Sequence, residues 1–131
     1  MTVSVYGLDK TFRAGGNYAT TTSQYEPVFL SAANTVSTAN TSTNVFLGVL
    51  QNKPASGSSA NVRILGTTKI RIDASVTAGD LIGFGASAAV SIINTAVTTT
   101  ARQSVIGIAL ETGSTNTIIE VLIQPFHHSV A

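Results

Sequence analysis

The sequence predicts a mainly β fold: a compact single-domain body of β-barrel or sandwich type, with an extended N-terminal arm and little helix. Composition is the first reason. About a quarter of the chain is Ser or Thr, and Val plus Ile outnumber Leu about threefold. Branched side chains suit a pleated surface better than a helix. The second reason is alternation. Val62, Ile64, Gly66, Thr68, Ile70 and Ile72 share one parity, while Arg63, Leu65, Thr67, Lys69, Arg71 and Asp73 share the other. A strand separates these sets onto two faces, and a helix would scatter them. The third is punctuation by turn residues between short apolar runs.

The 131 residues are enough for one domain with a real core. Residues 1–25 read as the arm and residues 26–131 as the β domain. The arm carries Tyr6, Phe12, Arg13, Tyr18 and Tyr25 without a helical or strand period. Its aromatics either pack on the chain's own body or wait for a partner surface. Glu26 to Leu30 reads as a short strand with Pro27 near its start, where a missing N–H is tolerated. Asn34 to Asn44 is polar and reads as a connection. Val45 to Leu50 is apolar on both faces, and Asn52 to Ser59 is a loop.

Gly66 predicts a bend in the long alternating strand that follows. Arg63, Lys69 and Arg71 then form a short basic row on an exposed face. Thr77 to Gly83 reads as a turn entering a strand, with Asp80 closing the turn through its side-chain oxygen. Ala88 to Ile93 is a further strand, and Asn94 to Arg102 is poorly determined. Ser104 to Leu110 and Thr117 to Gln124 flank a six-residue loop. The expected register pairs Leu110 with Thr117, Ile108 with Ile119, Ile106 with Val121, and Gly107 with Glu120.

No chemistry emerges from the residues. The chain has no cysteine, which excludes a disulfide scaffold and a Cys-based zinc site. Seven cations nearly balance six anions, so an electrostatic nucleic-acid binder is not expected. No apolar run is long enough to span a bilayer, and no signal-peptide pattern is present, which predicts synthesis in a reducing cytoplasm. Gly83-Phe84-Gly85-Ala86-Ser87-Ala88 fits a dinucleotide fingerprint in letters. That motif needs a helix starting at the glycines, and the Val-, Ile- and Thr-rich residues after it predict none. His127 and His128 read as a solvated tail. Asp9, Glu26, Asp73, Asp80, Glu111 and Glu120 form no close sequence pair. The expectation is no enzyme: no catalytic, metal or cofactor residues, and no small-molecule substrate.

Five blocks in order resemble the bacteriophage capsid cement, or head decoration, family. They are Leu47 to Pro54, Val62 to Ile70, Val76 to Ile82, Val105 to Glu111 and Ile118 to Pro125. Each block alone is only strand plus turn; together they span about 60% of the chain. The resemblance implies a structural virion protein, similar in role to the trimeric decoration proteins of lambda-like phages. It implies made-in-host assembly onto the outer surface of the expanded capsid, with the major capsid protein as partner, a homotrimeric state, and stabilisation by bridging neighbouring capsomers. Within that role Tyr6, Phe12, Arg13, Tyr18 and Tyr25 become candidate capsid contacts of the arm. The alternative is a structural or adhesive β module of a phage tail or cell-surface appendage.

Overall fold

A computed structural model of the chain describes residues 7–20, 23–38, 45–72, 75–84, 92–94 and 103–128. Among these residues there is no helix, and the fold is mainly β as its composition predicts. Nine strands occur in chain order: β1 (Gly7–Ala14), β2 (Pro27–Ala32), β3 (Thr35–Thr38), β4 (Gly48–Leu50), β5 (Ser59–Arg71), β6 (Leu81–Phe84), β7 (Ile92–Asn94), β8 (Gln103–Ala109) and β9 (Ile118–His128). They hydrogen-bond in the order β1-β3-β2-β4-β5-β9-β8-β6-β7, and β1 also pairs with β5. That extra pairing closes β1, β3, β2, β4 and β5 into a ring, with β9, β8, β6 and β7 continuing as an open sheet.

The long strand β5 belongs to both halves. Its first part, from Ser59 to Gly66, runs antiparallel to β1, and its second, from Gly66 to Arg71, runs antiparallel to β9. The change of partner falls at Gly66, whose φ of 96° lies in the left-handed region that glycine enters without steric cost. The expected bend is therefore a handover within one continuous strand. The alternation also holds: Val62, Thr68, Ile70 and Ile72 are buried, while Leu65 and Lys69 are exposed.

Each half has its own core. Ala14, Tyr18, Val28, Val36, Leu50, Ala60 and Val62 pack together with Phe12, Leu47 and Ile64, so all five ring strands contribute to one cluster. Phe46, Val49, Ile70, Ile72, Val76, Ile82, Ile106, Ala109, Ile119, Val121 and Ile123 form the other, with Tyr25 and Phe29 against it. Strands β2 and β4 stand between the two cores. Val28 and Leu50 point into the ring, while their neighbours Phe29 and Val49 point into the second core. This explains why the stretch up to Leu50 reads as apolar on both faces: Phe46 and Val49 enter the second core, and Leu47 and Leu50 the ring core.

Residues 7–14, within the stretch read as an arm, form β1 of the ring. Three expectations are corrected. The polar stretch after Asn34 contains β3, because Asn34 (φ 52°) turns the chain back and Thr35–Thr38 pairs with β2. The β8–β9 register is offset from the expected one: Gly107 faces Ile123, Ile108 faces Leu122 and Ala109 faces Val121. The reason is that residues 113–117 are drawn elsewhere. Gly113 exchanges hydrogen bonds with Val76, and Asn116 and Thr117 bond the backbone of Ile72. Gly107 tolerates its place through close approach, since a Cβ there would collide with the Leu122 carbonyl oxygen. Finally, His127 and His128 are no tail; they occupy the last rungs of β9, opposite Ser104 and Gln103. The register shift between Val105 and Gly107 lets that ladder continue past Pro125.

Candidate contact surface

The residues singled out in the first 25 lie mostly within the body of the protein. Tyr6 falls outside the described residues. Phe12 is half-buried against the ring core, and the Lys10 ammonium stands 5.7 Å from its ring centroid. Tyr18 is buried in the same core, where its hydroxyl accepts a hydrogen bond from the Thr38 amide at 3.2 Å. Tyr25 is half-buried against the second core, with a φ of 68° that a non-glycine residue adopts at a cost of about 1 kcal/mol. Arg13 is exposed on β1, its guanidinium over Gly57. For Phe12, Tyr18 and Tyr25 the two readings of an unperiodic aromatic resolve toward packing on the chain itself. Among these five positions, Arg13 is the described residue left facing solvent.

The basic row is likewise taken up by the protein. Arg63 grips Asp9 of β1 through two hydrogen bonds of 2.7 and 3.2 Å and donates a third to the Thr67 carbonyl. Lys69 stands opposite Glu120 in the β5–β9 ladder. Arg71 is half-buried, and burial leaves its Nε without a hydrogen-bond partner. Nearby, Glu26 is buried, and burial pushes its carboxyl up to about 7 against the lesser opposing pull of a Ser23 hydrogen bond and the Arg71 charge.

Exposed apolar side chains were not singled out by the sequence. Leu8 and Leu65 face one another across the β1–β5 ladder, each 52% exposed. Leu30 and Val45 are exposed as well. The available signal was parity: Leu65 is the one aliphatic residue in the polar set of the alternating strand. A row of Leu81, Ile108 and Leu122, each half-buried, crosses β6, β8 and β9 on the face opposite the second core, ending at Thr67 of β5.

An open groove of about 550 Å³ lies between residues 75–77 and the 111–119 segment. Three of its polar side chains are hydrogen-bonded within the fold. Thr112 Oγ1 accepts from the Ala78 amide at 3.1 Å, Glu111 Oε2 accepts from the Glu120 amide at 3.3 Å, and Thr117 Oγ1 donates to the Ser114 carbonyl. Asp80 closes its turn as expected, accepting from the Thr77 amide at 2.8 Å. Gly83 lies inside β6, paired with both β7 and β8, where the dinucleotide motif needs a loop; Gly85 to Ala88 fall outside the described residues. Among the described residues no three His, Asp or Glu side chains gather as metal ligands.

No protein-family model matches the chain, and no curated protein matches it by sequence. Among solved structures it is similar to the N base of the head fiber gp8.5 of bacteriophage phi29. The two share a TM-score of 0.65 and 18% identity, over 92% of this chain and 98% of that one. At that identity the likeness is one of fold, and it extends over nearly the whole of both chains.

Proposed function

We propose that this protein is a structural component of a phage head, attached to the outer surface of the expanded capsid and stabilising it by bridging neighbouring capsomers. The observation that carries the reading is the shared fold with a phage head-fiber base over nearly all of both chains. The five sequence blocks that resemble head decoration proteins point to the same place from a separate direction. They fall on β4, most of β5, the start of β6, and most of β8 and β9, with turns beside them.

The physical character of the molecule suits such a role. Holding a shell together takes area and many weak contacts summed over copies, and it takes no acid, base or metal. Few charges limit repulsion between crowded copies and make attachment less sensitive to salt. Exposed Leu8, Leu30, Val45 and Leu65 supply apolar surface beyond what the fold itself uses. A homotrimer, by the same resemblance, would be a closed cyclic assembly.

A second reading is favoured by the phi29 likeness itself: a base that seats on the head and carries a projecting appendage. The two readings part on mechanics. A bridge between capsomers raises the temperature at which filled heads release DNA, and a seated base leaves it unchanged. Heating heads with and without bound protein, with DNA release followed by dye fluorescence, separates them. An upward shift supports bridging, and binding with no shift overturns it in favour of the base.

A further inference from the structure

The ring and the open sheet repeat one another strand for strand. The ring runs β3-β2-β4-β5 and the open sheet β7-β6-β8-β9. Each then takes a further antiparallel strand, β1 on the first part of β5 and the last part of β5 on β9. The registers agree as well. Val49 faces Arg63 and Leu50 faces Val62, as Ile108 faces Leu122 and Ala109 faces Val121. Pro27 and Val28 face Val49 and Gly48, as Leu81 and Ile82 face Ile108 and Gly107. Lys10 and Phe12 face Val62 and Ala60, as Thr68 and Ile70 face Val121 and Ile119.

The turns match bond for bond. The Tyr25 amide donates to the Leu50 carbonyl at 2.7 Å, and the Gly79 amide to the Ala109 carbonyl at 2.7 Å. The Leu50 and Ala109 amides donate in turn to the carbonyls of Glu26 and Asp80, each at 2.9 Å. Ala14 donates to Ser58 and accepts from Gly57, just as Ile72 donates to Thr117 and accepts from Asn116. Left-handed residues fall at the same places, Tyr25 with Gly79 and Gly57 with Asn116. A Cβ on Gly48 would meet the Arg63 carbonyl, and one on Gly107 the Leu122 carbonyl. Few letters are shared, among them Arg13 and Arg71, Gly48 and Gly107, Val62 and Val121. Backbone geometry carries the likeness.

The cores correspond too. Phe12, Ala14, Tyr18, Val28, Leu50 and Val62 of the ring stand where Ile70, Ile72, Val76, Ile82, Ala109 and Val121 stand in the second core. The halves differ at one join. The Arg13 amide donates to Asn34 of its own ring, whereas the Arg71 amide donates to Tyr25 of the other half. Tyr25, Phe29, Phe46 and Val49, on the outside of the ring, then complete the second core. We propose that the chain is a tandem repeat of one β unit, joined at Gly66, in which the outer face of the first unit is the docking surface for the open side of the second. A repeat unit that cannot bury its apolar face alone needs a neighbour to cover it. The second unit offers no such face in turn, because Gly79 and Gly83 stand in the places of Tyr25 and Phe29. The array therefore ends at two units.

Segment exchange within the intact chain tests the repeat. One variant carries residues 111–117 in place of residues 52–58. A control carries the same residues in an order that moves the asparagine off the Gly57 position. The Ala14 and Tyr18 amides are held by carbonyls of that loop, so their hydrogen exchange reads the outcome. The repeat predicts that the graft keeps both protected, while the scrambled loop speeds them by about tenfold or more. A graft that fails to fold, or that exchanges no more slowly than the scrambled loop, overturns it. Phe46→Ala tests the docking. Exchange at the Ala109 amide should rise about tenfold or more, with that at Ala60 in the ring little changed. An equal change at the two sites, or none at either, contradicts the docked arrangement.

Discussion

The ring and the open sheet solve the same problem in different ways. In the ring every strand has two neighbours, and β1 closes it by pairing with β5 over most of its length. Side chains from all five strands fill its interior. In the other half the sheet ends at the short β7, and its core is covered from one side by the sheet and from the other by β2, β4 and the loop residue Val76. Closure removes edges, and edges are where strands open first. The lesson is that stability and accessibility are divided between the halves, although one strand, β5, runs through both.

The largest predicted effects are those that break one half. Gly107→Ala places a Cβ against the Leu122 carbonyl in a central ladder of the open sheet. It should cost more than about 3 kcal/mol or prevent folding, read by chemical denaturation. Leu50→Ala in the ring and Ile106→Ala in the open sheet both empty fully buried sites. Each should cost about 2–5 kcal/mol. Because the two residues lie in separate clusters, the double mutant should be additive within about 0.5 kcal/mol. A strong coupling energy would mean that the molecule has a single core.

An effect of intermediate size sits at the buried Glu26. Glu26 is held neutral in the folded protein to a higher pH than in the unfolded chain. The folded state therefore binds the proton more tightly, and its contribution is fully present below about 4.5 and lost as pH rises through about 7. At most about 3 kcal/mol is lost across that window. Glu26→Gln should flatten the profile, as measured by urea midpoints at several pH values.

The sequence made the strand content and much of the strand placement legible, because parity is a local signal. Val62 to Ile72 alternates apart from Leu65, and Val62, Thr68, Ile70 and Ile72 are buried. What stayed hidden is contact between residues far apart in sequence. Nothing local to Gly7–Ala14 says that it closes a ring, since Leu8, Asp9 and Lys10 are exposed and only Phe12 and Ala14 turn toward the core. The β8–β9 register departs from the hairpin pattern because the Ile72 and Val76 backbones capture the loop, a competition invisible in that pattern. Of the candidate surface, Arg13 was legible and exposed, while Tyr18 and Tyr25 were spent on packing. The nearness of residues 25 and 26 to Arg71 required the fold, because the Arg71 amide bonds the Tyr25 carbonyl across 46 positions of chain.

A small effect tests the exterior of the ring. The Asp9–Arg63 pair is partly exposed. Asp9→Asn should cost under about 1 kcal/mol, and less in high salt. A larger loss would mean that this pair, rather than the backbone ladder, fastens β1. Hydrogen exchange gives the same comparison without mutation: ring amides of β2 and β4 should outlast those of β6.

The proposed attachment to a phage head is tested most directly by co-sedimenting the purified protein with purified phage heads before and after expansion. Saturable binding to expanded heads alone, at a fixed number of copies per shell, is the expected result. Absence of binding to either form would contradict it and turn attention to a tail or cell-surface appendage.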